Sequence, residues 1–113
     1  MAYDLKTAER IRNYLSQFTK LKIEEKKMFH GLTFMINGKM CINVSGNNLM
    51  CRFDPGIQDT VEKKNNVIPM IMKGTKYKGY CYIEPPGFKT KKDLEYWINL
   101  CLDFNEKAKS SKK

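Results

Sequence analysis

The chain of 113 residues has one histidine, His30, and three arginines, Arg10, Arg12 and Arg52, against eighteen lysines. Its four cysteines, Cys41, Cys51, Cys81 and Cys101, form no CxxC or CxxH pair. Structural zinc needs clustered N and S ligands, so no metal and no cofactor is expected. No apolar run approaches the roughly 20 residues of a membrane span, and the first residues, MAYDLKTAER, lack the apolar core of a signal peptide. A cytoplasmic protein with reduced thiols is the expectation. Each cysteine lies inside an apolar pattern and reads as a small buried hydrophobe. The sequence KGTKYKG, residues 73–79, lacks the GxxxxGK[ST] spacing and is no P-loop. His30 has no Cys or carboxylate partner in an obvious triad and reads as a turn residue. No nucleophile–base or paired-carboxylate constellation is visible, and the chain is expected not to be an enzyme.

What is present is turn chemistry and alternation. Residues 26–53, KKMFHGLTFMINGKMCINVSGNNLMCRF, alternate apolar with polar side chains and are broken twice. Asn37-Gly38 suits a two-residue type I′ hairpin, whose central residues both need positive φ. Ser45-Gly46-Asn47-Asn48 is a second turn signal. The result is a β-meander, with an earlier strand at 23–29. Leu5, Ala8, Ile11, Leu15 and Phe18 recur at helical spacing after Asp4, a plausible N-cap, predicting a helix to about Lys20. Asp54-Pro55 starts a short helix. Val67–Ile71 contains Pro69 and is confined to an edge strand or extended segment. Residues 72–79 read as a basic loop and 80–83 as a strand. Thr90, with Asp93 three residues on, starts a last helix buried through Leu94, Trp97, Ile98, Cys101 and Phe104. The fold class is therefore α+β: two layers, an antiparallel meander sheet with flanking N- and C-terminal helices. Residues 1–106 are expected to form one domain, and 107–113 a basic, disordered tail.

A resemblance covers nearly the whole chain. Lys26-Lys27-Met28-Phe29, Gly31, Phe34-Met35, Asn37-Gly38-Lys39-Met40-Cys41 and Leu49-Met50-Arg52 carry it, followed by Gly74, Lys78-Gly79-Tyr80, Tyr82, Asp93-Leu94 and Trp97. The pattern resembles the N-terminal domain of the TfoX/Sxy family, bacterial proteins linked to competence regulation. His30 stands where that pattern carries glycine. The resemblance implies a stand-alone N-terminal domain with a secretion-chaperone-like antiparallel sheet. It also implies a regulatory role, linked to transcription and competence, with no catalytic residue to carry over.

Two functional expectations follow. The first is a bacterial regulatory or adaptor domain that works by protein contacts. Met35 and Met50 lie on the face opposite the leucine-type residues, with Cys41, Thr33 and Asn43. Two helices cover about one face of so small a sheet, so this second face is expected to be covered by another subunit, most simply in a homodimer. The second expectation draws on the formal charge of +9. Lys26, Lys27, Lys39, Arg52, Lys73, Lys76 and Lys78 are the candidate anion or acidic-partner surface, and nucleic acid is the alternative ligand. Tyr77 and Tyr80 interleave with the lysines of 73–78 as candidate stacking groups. The scarcity of arginine counts against nucleic acid, because base and phosphate readers favour the arginine fork.

Overall fold

The computed structural model describes residues 3–28 and 31–105. Phe29, His30 and the basic segment 107–113 lie outside the described residues, and with them the end of the first predicted strand. Helix α1 is Leu5–Leu15. Four strands follow, β1 Ile23–Met28, β2 Gly31–Ile36, β3 Lys39–Ser45 and β4 Asn48–Arg52. A 3₁₀ turn at Pro55–Ile57 leads into α2, Gln58–Glu62. Strands β5, Val67–Met72, and β6, Thr75–Ile83, precede a second 3₁₀ turn and α3, Lys91–Asn105. All strand pairs are antiparallel, in the order β1-β2-β3-β4-β6-β5, so β1 and β5 are the edges.

Local chemistry sets most of these boundaries. Asn37 and Gly38 have φ of 53° and 81°, as a type I′ turn requires, and Ile36 pairs with Lys39 across it. Asp54 accepts a hydrogen bond from Gly56 N at 2.9 Å, ahead of Pro55. Thr90 Oγ1 accepts from Asp93 N at 3.1 Å and starts α3. Asp4 behaves differently: its carboxylate accepts from the Thr7 hydroxyl at 2.6 Å and makes no side-chain bond to the helix backbone. Helix α1 also stops at Leu15, short of Lys20.

Helices lie on one side of the sheet. Their apolar stripes (Ala8, Ile11 and Leu15 of α1; Leu94, Trp97, Ile98 and Cys101 of α3) pack on Phe34, Ile42, Val44, Leu49, Cys51, Cys81 and Ile83. Burial of this cluster is the main source of stability. All four cysteines are free and buried in it.

Alternation alone assigns Cys41 to the helix-free face and Met40 to the helix side. The structure reverses both. Phe34 pairs with Ile42 but Met35 pairs with Met40, so β3 carries one extra residue opposite β2. This β-bulge inverts the alternation on one side of itself. Cys41 turns to the helices and Met40 to the other face.

That other face is not bare. Met35, Met40, Met50 and Met70 form a second buried cluster, with Met28, Tyr80 and Tyr82 packed against it. Every strand contributes and no helix does. Unbranched thioethers lie over the sheet and fill the gaps between one another. Met50 is 2% exposed and Met35 5%, so the premise that they stand open to a second subunit does not hold. On the same face Asn43 Nδ2 donates to Met28 O at 3.1 Å and to Thr33 Oγ1 at 2.6 Å, tying β1, β2 and β3 together, while its buried Oδ1 meets no donor among the described residues.

Candidate functional site

The segment 72–79 is not a loop. Lys73 and Gly74, with φ of 53° and 79°, close a tight hairpin between Met72 and Thr75, and β6 begins at once. Only the last part of β6 lies against the body of the sheet. Its pairing with β4 runs from Ile83 and Leu49 to Tyr80 and Arg52 and ends there. Thr75–Lys78 lies past the end of β4; Thr75 and Lys76 pair there with Met72 and Ile71 of β5, while the register slips around Tyr77–Tyr80, so these four residues form a short two-stranded arm. All four are exposed.

Gly79 forms the base of the arm. Its φ of 91° breaks the strand's regularity, and its backbone leaves the β5 ladder for other partners. Gly79 N donates to Gln58 Oε1 at 2.8 Å, and Gly79 O accepts from Phe53 N at 2.8 Å. A Cβ here would lie 3.0 Å from Phe53 O and 3.1 Å from Pro55 Cγ. Gln58 is buried and also donates to Glu62 at 2.5 Å and to the Cys81 sulfur at 3.6 Å. It joins α2 to the arm's base, a positioning role that its sequence neighbourhood does not announce.

Two contacts orient the arm's faces. Lys76 Nζ lies 3.0 Å from Glu62 Oε1, on the helix side. Hydrogen bonds from Gln58 and then Lys76 hold the Glu62 carboxyl below its usual pKa. Tyr77 points to the opposite side, its ring centroid 6.4 Å from that of Tyr80. The Arg52 guanidinium stands 5.8 Å from the Tyr80 ring and 5.9 Å from the Phe104 ring, and Nη1 donates to Met40 O at 3.4 Å. Lys39 Nζ donates to Asn105 O at 2.9 Å, at the C-terminal, electronegative end of α3.

The seven basic residues picked from the sequence therefore separate. Lys39, Arg52, Lys73, Lys76 and Lys78 share one end of the sheet, where β3 begins, β4 ends and the arm projects. Lys39 and Arg52 are engaged there with α3 and the aromatic rings. Lys26 and Lys27 lie on β1, four strand spacings or about 19 Å from β6, and near the opposite end. They pair with Thr33 and Leu32 and so point to opposite faces. No single patch of seven exists. The arm instead gathers lysines with apolar groups. Of the five large apolar side chains that stand exposed among the described residues, Ile68, Ile71 and Tyr77 belong to the β5–β6 hairpin.

The buried thiols make no comparable site. Hydrogen bonding to Cys101, and then burial, raise the Cys41 pKa well above the ordinary thiol value; burial does the same for Cys101 and lifts Cys81 to about 11. Among the described residues no group of three or more His, Cys, Asp or Glu side chains is placed to hold a metal ion.

The model of the TfoX N-terminal domain matches residues 13–105, from the last turn of α1 to the last residue of α3. This chain belongs to the TfoX N-terminal domain family. The match takes in the whole sheet and the arm, and it makes this a domain of regulatory type. No curated protein and no solved structure matches the chain. Among the described residues no helix is long and apolar enough to cross a membrane.

Proposed function

We propose that this TfoX N-terminal domain is a non-enzymatic regulatory adaptor of the bacterial cytoplasm. It acts on transcription or competence through protein contacts made by the β5–β6 arm. One observation carries the reading. Both faces of the sheet are filled by the chain's own side chains, while exposed apolar groups concentrate on one projecting hairpin beside Lys73, Lys76 and Lys78. Exposed apolar groups rimmed by charge are a mark of contact surfaces. A photo-crosslinking residue at Tyr77 is expected to capture a discrete protein in a bacterial lysate, and the same residue at Lys27 to capture none. Equal capture at both positions, or at neither, would remove the arm from the account.

The Tyr77–Tyr80 pair beside three lysines supports nucleic acid as the second reading. Its signature is affinity that falls by about 0.7–0.9 log units per phosphate contact for each tenfold rise in salt. Affinity that vanishes when only Lys107–Lys113 are removed would assign it to those lysines and not to the arm.

A further inference from the structure

The two edges of the sheet are unlike. Along β1 runs Glu24-Glu25-Lys26-Lys27, charges of both signs that discourage any added strand. On β5, Ile68 is 40% exposed on the helix-free face and Ile71 60% exposed on the helix side, with no strand beyond them among the described residues. From Val67 to Lys78 there are three lysines and no acid. Glu62 of α2 neutralises Lys76 only. Lys73 stands exposed in the hairpin turn and Lys78 exposed on β6.

We infer that the outer edge of β5 and its arm bind an extended acidic segment of a partner protein, with alternating apolar and carboxylate side chains. This rests on the protein-contact reading above and names the partner's chemistry. Apolar groups of the segment, all on one of its faces, cover Ile68 on the helix-free side, the carboxylates on its other face pass Ile71 toward Lys73 and Lys78, and main-chain groups pair with the open edge on either side of Pro69. A second copy of this chain fits poorly. Two β5 edges related by a two-fold axis would bring two copies of Pro69 together and lose a main-chain donor from each strand, where a peptide meets only one such gap, and each chain carries a formal charge of +9. A nucleic acid fits less well than a peptide. Isoleucine offers a base no ring to stack on, the arm has no arginine, and Arg52 already stands by the Tyr80 ring.

Fluorescence anisotropy with a labelled peptide of alternating Glu and Val tests this, using the full chain. Saturable binding is expected, weakened about tenfold or more by Ile71→Glu and by Lys78→Glu, a loss of at least about 1.4 kcal/mol. Lys26→Glu on the far edge should leave it unchanged. A peptide N-methylated at alternate residues should fail to bind, because its main chain can no longer pair. Circular dichroism of each variant confirms the fold, and Lys78→Glu, fully on the surface, serves if Ile71→Glu does not fold. Absence of saturable binding, equal loss with Lys26→Glu, or tighter binding of oligo(dT) through Ile71 and Lys78 would each overturn the inference. So would a mass in solution that doubles through β5. If the peptide fails while crosslinking at Tyr77 still captures a protein, the acidic partner is wrong and the arm reading stands. If both fail, both fall.

Discussion

Met50 decides how the helix-free face is held. It sits in the central strand β4, opposite Asn43 on β3 and Tyr82 on β6, within the cluster of Met35, Met40 and Met70. Replacing it by alanine deletes three heavy atoms from a site that is 2% exposed and packed among Met35, Met40, Met70, Tyr80 and Tyr82. Truncations of this kind cost about 2–5 kcal/mol, and a central strand belongs near the middle of that range. For a domain of this size, whose total stability is about 5–15 kcal/mol, the loss is a large fraction. Urea unfolding followed by circular dichroism should show the midpoint falling by about 2 M for a loss near 3 kcal/mol. Met50→Leu conserves volume and should cost less than about 1.5 kcal/mol. Protein concentration is the second axis. If the chain fills this face by itself, the midpoint is the same across a concentration range on the order of a hundredfold, wide enough to expose linked dimerisation. A midpoint that climbs with concentration, or a Met50→Ala shift below about 0.5 M, would refute the reasoning and return the face to a subunit interface.

Other outcomes follow from the same geometry. Gly31→Ala should unfold or severely destabilise the domain, because the new Cβ would lie 1.9 Å from Val44 O in the neighbouring strand; a thermal melt within a few degrees of the parent would show that β2 and β3 separate easily. Arg12 holds Glu25 by two hydrogen bonds, at 2.6 and 2.7 Å, and these place the Glu25 carboxyl below its ordinary pKa of 4.5. The pair's contribution is therefore complete above pH 4.5 and is lost as pH falls through the lower folded value, and solvent exposure keeps it under about 1 kcal/mol. Glu25→Gln should lower the urea midpoint slightly at neutral pH, and the difference should shrink in acid; a constant difference would break the link to ionisation. The four buried thiols should resist a disulfide reagent in the native state and all react once unfolded; fast labelling of the native protein would contradict their burial.

Local chemistry was legible in the sequence and long-range register was not. Asn37-Gly38, Asp54-Pro55 and Thr90 act on their own neighbours, so each is found where the residues themselves point. The apolar stripes of α1 and α3, the meander and the edge position of β5 follow from periodicity and from Pro69 in the same way. Lys73-Gly74 was less visible, since lysine adopts positive φ only under constraint, and the charged alternation beyond it has no buried face to betray a strand. Cys41 and Met40 exchange faces because one extra residue in β3 is set by its pairing with β2, a relation between strands. The burial of Met35 and Met50 is likewise collective: a methionine is as ready to be surface as core, and only six strands laid side by side bring its neighbours over it. The split of the basic residues has the same origin. Strand order sends Lys26 and Lys27 to one edge and carries the arm lysines to the other, and strand order is a property of the assembled sheet.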